Sequence, residues 1–225
     1  MRKYAFCLAI ALLGGTWSAQ AQLGIKAGVN LATLAESAFE DSFDDYKAKA
    51  ITGLQAGLLL DLPITDMFSI QPELIWIQKG GRSTYSLTPN NQIERRVTYN
   101  YVEVPVLFKI KAPFSSDSNF GLFLLGGPFA GFALNGKGEV KTTILGVTST
   151  STFDIDYGDE GNTQRRFDWG ISAGLGAYIG SIFLDLRYNL GFNNLLDENA
   201  ASPGQKRPTL RTRGIGLTAG FVFGN

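Results

Sequence analysis

The chain has 225 residues with 20 basic and 20 acidic side chains, one cysteine and no histidine. This charge balance excludes the strongly basic surface that nucleic-acid binding requires, so we expect no nucleic-acid partner. Histidine is the usual general base and cysteine the usual thiol nucleophile, so the composition argues against most classes of enzyme. A carboxylate pair remains conceivable, but no spacing singles one out, and we expect no catalytic residue, cofactor or metal site.

The first 21 residues have the pattern of a secretory signal peptide. Arg2 and Lys3 precede an apolar run, and Ala19-Gln20-Ala21 provides a small-residue cleavage site. The apolar run is shorter than the ~18 residues that a membrane-spanning helix needs. We therefore predict a cleaved signal peptide over residues 1–21 and one exported domain, without cysteine, over residues 22–225.

Alternation of apolar and polar residues predicts β-strands throughout this domain. Successive side chains of a strand point to opposite faces, so a period of two gives one apolar and one polar face. The alternating segments are 23–31, 53–62, 68–78, 100–112, 167–177, 182–191 and 213–223. Residues 120–134 form an eighth strand, in which both faces are apolar and the parity stays open. Within NYVEVPVLFKIKA (100–112), Pro105 lacks a ladder donor, which predicts a bulge or weaker pairing.

Eight strands can close into a barrel, and the connections between them indicate a membrane. The short connections all fall at one end, and the long polar connections all fall at the other. The short ones are 63–66, 112–118 and 180–181, and the long ones are 32–50, 80–98, 135–166 and 193–210. Outer-membrane barrels have short periplasmic turns and long external loops. The sequence therefore predicts an all-β fold, an eight-stranded antiparallel up-and-down transmembrane barrel in the outer membrane, with lipid around its apolar face.

Aromatic residues are predicted to form a belt at each membrane interface, where the bilayer favours them. The external belt comprises Trp76, Tyr99, Tyr101, Phe129, Phe132, Phe167, Trp169, Tyr188 and Phe192. The periplasmic belt comprises Phe68, Phe114, Phe120, Phe183, Phe221 and Phe223. The rival architecture is a soluble barrel of lipocalin type, in which the apolar faces point inward and no belts are needed.

The polar faces place charged side chains inside the barrel. The charged positions assigned to the lumen are Lys26, Asp61, Glu73, Glu103, Lys109, Asp185 and Arg187. We expect Glu73 and Glu103 to pair with the basic members of this set. The interior of an eight-stranded barrel is just wide enough for side chains to fill, so we predict a structural plug. A polar conduit or ligand site in the lumen is the alternative.

Two hairpins are predicted to continue above the membrane, because their strands are too polar to lie in lipid. Residues 83–97 form one around an Asn90-Asn91 turn, and residues 139–156 form the other. The acidic segments at 41–45 (DSFDD) and 154–161 (DIDYGDEG) do not match a calcium-binding loop, and we interpret them as solvated faces.

The order of the sequence motifs resembles that of the PorT-like outer-membrane β-barrel proteins. The matching stretches are GIKAGVNLATL (24–34), LQAGLLLDLPITDMFSIQPELIWIQKG (54–80), YVEVPVLFKIK (101–111), LLGGPFAGF (124–132) and DLRYNLGFNNL (185–195). The resemblance covers essentially the whole exported domain. It implies an eight-stranded barrel of the outer membrane, in a family named after a member linked to type IX protein secretion. It transfers no catalytic or ligand residue to this chain.

These observations favour a non-enzymatic protein with a structural or interaction role at the cell envelope, with an accessory role in protein secretion as one form of it. The expected partners are outer-membrane lipid and, through the external loops 32–50 and 135–166, envelope or secretion-machinery proteins. The alternatives are a small-solute pore or ligand-binding barrel and a membrane-embedded barrel enzyme.

Overall fold

A computed structural model describes residues 21–36, 47–88, 91–113, 119–155, 157, 164–196 and 209–224. Within them, the β-strands are β1 (Gln22–Glu36), β2 (Lys47–Lys49), β3 (Ile51–Pro63), β4 (Phe68–Thr88), β5 (Asn91–Pro113), β6 (Phe120–Ile144), β7 (Val147–Asp154), β8 (Phe167–Ile179), β9 (Ile182–Gly191) and β10 (Leu210–Val222). No helix in these ranges is long and apolar enough to cross a membrane. The predicted signal peptide, apart from Ala21, and the acidic segment 41–45 lie outside the described residues. Phe114 of the predicted periplasmic belt and most of the acidic segment 154–161 also lie outside them.

Eight of the strands form one closed antiparallel ring. Its order is β1, β3, β4, β5, β6, β8, β9 and β10, and β10 pairs back onto β1. Each strand is bonded on both sides, so the ring has no free edge, and closure stabilises a chain whose single cysteine allows no internal disulfide. The predicted eight-stranded antiparallel barrel is confirmed.

The barrel wall has its apolar side chains outside and its charges inside. On β5, Val104, Val106 and Phe108 are exposed, whereas Glu103 and Lys109 are buried. An apolar outer wall is stable in hydrocarbon, where the closed ladder also satisfies every backbone polar group. The soluble rival, which needs the opposite arrangement of faces, is excluded.

Strand pairing sets the side-chain parity of β6, which the sequence left open, and corrects the aromatic belts. Tyr99, Tyr101, Phe129 and Phe183 are buried inside the barrel, so their assignment to the belts is wrong. They share inward parity with lumen charges on their own or neighbouring strands. The members of the two predicted belts that do point outward are Phe68, Trp76, Phe120, Phe132, Phe167, Trp169, Tyr188, Phe192, Phe221 and Phe223.

Pro105 interrupts the pairing of β5 with β4 but does not shift the register of the two strands. The β4–β5 pairing skips two residue pairs beside Pro105 and then resumes in the same register. A residue without an amide donor weakens pairing in this way. The register shift of β5 lies instead between Asn100 and Tyr101, where Leu134 of β6 is the extra residue. The prediction of a bulge or a weaker pairing at Pro105 is therefore confirmed, in the form of a weaker pairing.

Strands β4, β5 and β6 continue well beyond the lipid-facing wall. The β4–β5 pairing reaches Thr88↔Asn91, and β6 turns at Leu145-Gly146 into β7. Together with β2, which pairs with β4, these segments form one sheet, here called the external sheet (residues 47–49, 78–88, 91–100, 135–144 and 147–154). The segment of β4 from Gln78 to Thr88 alone corresponds to roughly 30 Å of strand. Both predicted hairpin extensions are confirmed.

An arginine in place of Val106, on the lipid-facing side of β5, is expected to lower folding stability by about 2–4 kcal/mol. The reason is that a charge at mid-membrane depth must leave water. The matched change Val147→Arg, in the external sheet where Val147 is 74% exposed, is expected to cost less than about 0.5 kcal/mol. Urea titration of protein refolded into phosphatidylcholine vesicles measures both changes. Equal losses at the two positions would contradict the placement of β5 against lipid.

Candidate functional site

Four charged side chains from three strands meet in the middle of the lumen, and we call them the middle cluster. Arg187 donates from Nη1 and Nη2 to the two Glu73 carboxylate oxygens, each at 2.7 Å. Its Nε and Nη2 also donate to Asp185, at 2.8 and 2.9 Å. Lys26 Nζ lies 2.9 Å from Glu73 and 3.8 Å from Asp185. Two cations and two carboxylates balance in charge, and the guanidinium engages both acids in the paired geometry that makes such contacts strong.

A second group, the periplasmic cluster, lies nearer the chain termini. Asp61 Oδ2 accepts from Lys109 Nζ and pairs with Lys111 Nζ, each at 3.0 Å. Gln71 connects this group to the middle cluster, since it accepts from Lys109 at 3.1 Å and donates to Glu73 at 2.5 Å. The two clusters therefore form one continuous hydrogen-bonded network.

The external cluster surrounds Lys79 near the other end of the lumen. The Lys79 ammonium forms ion pairs with Glu103 and with Asp168, the second at 2.9 Å, and Thr212 donates to Asp168 at 2.7 Å. The same ammonium lies 4.5 Å from the ring centre of Phe129, which adds a cation–π contact. One cation thus holds two carboxylates from β5 and β8, which lie at the same level on either side of Gly131 of β6.

The structure places all of the predicted lumen residues inside the barrel but pairs some of them differently. Glu73 meets Lys26 and Arg187, as expected. Glu103 meets Lys79 instead of a residue from the predicted basic set, and Lys109 meets Asp61. Sequence reasoning missed Lys79 and Asp168, although both continue the inward parity of their strands. Lys79 directly follows the predicted strand 68–78, whereas Asp168 lies on the polar face of the predicted strand 167–177 but was not included in the lumen set.

Two glycines provide the space that these side chains need. A Cβ on Gly174 would lie 2.9 Å from the Arg187 Cγ, and one on Gly131 would lie 3.1 Å from the Glu103 Cγ. Real Cβ atoms rarely approach that closely, so a larger residue would displace the charged side chain. Gly131 and Gly174 therefore leave the space that the charged side chains of the network occupy.

Two apolar layers pack beside the charged clusters inside the lumen, one toward each end. The external layer consists of Leu34, Ile75, Ile77, Val97, Tyr99, Tyr101, Ala133, Leu195 and Leu210, with Ile155, Tyr157 and Leu196 packed against it. Desolvation raises the pKa of Tyr157 to about 12, against the lowering effect of nearby Arg166, so this phenol stays neutral. The periplasmic layer consists of Leu59, Leu107, Phe123, Leu125, Phe183 and Val222, with Tyr178. A cleft of about 170 Å³ at the periplasmic end reaches Asp61 and Lys109.

The described ranges hold no group of three or more His, Cys, Asp or Glu side chains arranged to bind a metal ion. Most of the carboxylates in the lumen are instead neutralised by lysine or arginine. The described interior is thus rich in buried ion pairs, in which each charge has a partner of opposite sign.

The tip of the β6–β7 hairpin is the second unusual feature, and sequence reasoning missed it. Leu145 and Gly146 both have positive φ, at 49° and 85°. Positive φ at both central residues defines a type I′ turn, which normally carries Asn-Gly. Leu145 is 77% exposed, and its neighbours Ile144 and Val147 are 50% and 74% exposed. An apolar and conformationally unfavourable tip thus projects from the external sheet.

The closed ring, its apolar outer wall and its salt-bridged interior define an integral outer-membrane β-barrel. The chain belongs to the family described as the outer membrane protein beta-barrel domain, whose model matches residues 18–197. Membership in this family assigns the protein to the outer membrane.

Several solved structures of outer-membrane proteins are similar to the chain. Ail of Yersinia pestis, in complex with the heparin analogue sucrose octasulfate, is 14% identical over 90% of this chain and 99% of that one, with a TM-score of 0.41. OprG of Pseudomonas aeruginosa is 11% identical over 91% and 97%, with a TM-score of 0.49. The outer-membrane protease OmpT of Escherichia coli is 11% identical over 93% and 99%, with a TM-score of 0.29. No curated protein sequence matches the chain.

Proposed function

We propose that this protein is a non-enzymatic interaction protein of the cell envelope, which anchors a projecting sheet in the outer membrane and offers its tip to a partner protein. The observation that carries the proposal is Leu145 in the left-handed conformation at an exposed turn. A non-glycine residue costs about 1–2 kcal/mol there. Leu145 gains neither a favourable backbone conformation nor burial at this position. Because it does not stabilise the fold there, it points to a role outside folding.

The apolar character of the tip indicates what kind of partner it meets. Ile144, Leu145 and Val147 are adjacent and exposed at the far end of the hairpin. Contiguous exposed apolar side chains mark protein-binding sites on soluble surfaces. The partner is accordingly a protein with an apolar pocket.

The interior supports a role without transport or catalysis. Three ion clusters and two apolar layers occupy the lumen from one end to the other, which disfavours the pore alternative. Glu103 and Asp168 are neighbouring carboxylates, but both are buried and bound to Lys79. The chain also has no histidine to serve as a base.

The partner class that we propose is an envelope or secretion-machinery protein, in an accessory role of the PorT-like type. The order of motifs that resembles the PorT-like proteins supports this choice. The tip lies within the loop 135–166, one of the two loops predicted to bind partners. Most of the other, 32–50, lies outside the described residues.

Leu145→Asn is expected to abolish partner binding while it raises stability by about 1 kcal/mol, because asparagine tolerates the left-handed conformation. A photo-crosslinking amino acid at position 147 in living cells, with and without Leu145→Asn, measures partner capture, and urea titration measures stability. We expect a crosslink to an envelope or secretion protein that the variant loses. The matched control places the crosslinker at Arg211, exposed on β10.

Equal crosslinking by Leu145→Asn and the parent would contradict the tip as the binding site. Planar-bilayer recordings on the same purified protein test the competing pore role, for which a large and stable conductance would be required. We expect none.

A further inference from the structure

The outward face of the external sheet contains a polar groove. Its volume is about 690 Å³, and it spans the adjacent strands β4, β5, β6 and β7. The side chains that matter for its chemistry are Gln78, Arg96, Asn100, Lys137, Glu139 and Asp154. The groove is distinct from the hairpin tip, which lies further from the membrane.

The groove begins where the lipid-facing wall ends. Trp76 is exposed on the outer face of β4, and Gln78 follows it on the same face. On β6, Phe132 is exposed below the groove and Lys137 lines it. Aromatic side chains mark the interface between hydrocarbon and headgroups. The groove is therefore continuous with the lipid contact and faces the headgroup layer of the outer leaflet.

Side-chain amides form an ordered floor at this boundary. Gln78 Nε2 donates to Asn100 Oδ1 at 3.2 Å, and Asn100 Nδ2 donates to Asn135 Oδ1 at 2.6 Å. The Gln78 Oε1 also accepts from the backbone amide of Leu54 at 3.0 Å. These bonds fix the amides in one orientation, and each amide has further donor or acceptor capacity for a ligand.

Charges of both signs stand above this floor. In the register of the sheet, Lys137 on β6 is opposite Asp154 on β7, and Arg96 on β5 is opposite Glu139 on β6. Neither Arg96 nor Lys137 forms a salt bridge with another described residue, whereas Glu139 pairs with Lys141 at 3.1 Å. The Arg96 guanidinium and the Lys137 ammonium are thus available for an anion, next to carboxylates and amides.

This mixture suits a sugar that carries phosphate. Phosphate oxygens need cationic donors, and Arg is well matched to them in geometry. Sugar hydroxyls need acceptors as well as donors, which carboxylates and amides supply. A site for a simple anionic phospholipid would need the cations but would have no use for Glu139 or Asp154.

We propose that the groove binds the phosphorylated saccharide headgroup of a glycolipid in the outer leaflet. Arg96 and Lys137 contact the phosphate, and the amides of Gln78 and Asn100, with the carboxylates, contact the sugar hydroxyls. Acyl chains of the same lipid lie against the apolar wall below, beside Trp76. The lipid would thus span the boundary between barrel and external sheet.

The test uses the full exported chain in nanodiscs of phosphatidylcholine doped with a phosphorylated diglucosamine glycolipid, with native mass spectrometry to measure retained lipid. The double variant Arg96→Ala/Lys137→Ala is expected to reduce retention by about tenfold or more, as the loss of two charge-assisted bonds implies. The variant Asn100→Ala reduces glycolipid retention while leaving that of phosphatidylglycerol unchanged. Arg211→Ala/Arg213→Ala, which removes two cations from β10 away from the groove, is the matched control.

All of these positions lie on the surface, so we expect each variant to fold. Heat-modifiability on gels verifies this for each of them. Equal loss in the groove and control variants would overturn the proposal in favour of general interfacial charge. Equal retention of phosphatidylglycerol and glycolipid by the parent would overturn the saccharide. Binding of the deacylated phosphorylated disaccharide as tightly as the intact lipid would show a site for soluble saccharides and overturn the lipid source.

Discussion

Replacement of Glu73 by glutamine is expected to lower the free energy of unfolding by about 3–5 kcal/mol, the cost of breaking a buried ion pair by removing one partner. Glu73 accepts from Arg187, Lys26 and Gln71, and its side chain is fully inaccessible. Glutamine keeps the shape but removes the charge, so Lys26 and Arg187 would share Asp185 alone. Two buried cations then face one carboxylate, and neither can reach water.

Urea titration in phosphatidylcholine vesicles measures this loss. The matched control is Glu94→Gln in the external sheet, where the pair with Arg82 is 3.6 Å long and both side chains are about one third exposed. An exposed pair of this kind contributes at most about 1 kcal/mol. If Glu73→Gln and Glu94→Gln change stability by the same small amount, the middle cluster does not hold the barrel together.

Replacement of Lys79 by methionine is expected to cost a similar amount, about 3–5 kcal/mol, by the same mechanism with the signs reversed. Lys79 is the cation between Glu103 and Asp168, and the side chains of all three are almost inaccessible. Without the ammonium, two buried carboxylates would lie near each other, with Thr212 as the donor to Asp168. Like charges in a low dielectric repel strongly, so the external end of the lumen should loosen first.

A second variant separates the electrostatic effect from the loss of packing. Lys79→Met combined with Glu103→Gln and Asp168→Asn leaves no net charge in the external cluster, and it should recover much of the stability that Lys79→Met loses. A buried cluster replaced as a whole is often close to neutral in stability, and the coupling appears in a mutant cycle. A triple variant no more stable than Lys79→Met would show that the lysine acts by filling space. Lys47→Met, on the exposed β2, is the control and should have no measurable effect.

The sequence by itself determined the number of strands in the barrel, which faces of most of these strands are apolar, and the membrane environment around them. The reason is that alternation is a local property, since each residue of a strand points opposite to the next whatever its partner strand is. The alternation at Val104, Val106 and Phe108 therefore predicted a lipid-facing side without any knowledge of the pairing. The sorted lengths of the connections predicted which end of the barrel is periplasmic and which is external. The two hairpins beyond the membrane could be predicted in the same way, from strands too polar for lipid.

Only the tertiary structure decided which charges meet inside the barrel and which aromatic residues lie there. Lys79 and Asp168 are separated by 89 residues along the chain, and they meet because the stagger of the closed ring brings both to the same depth. Parity tells whether a side chain points inward but not how deep it lies, so Glu103 was matched with the wrong cations. The groove between four strands and the strained turn at Leu145 depend likewise on how the sheet curves and where the hairpin reverses. Those features arise from strand pairing over the whole ring, which no local pattern contains.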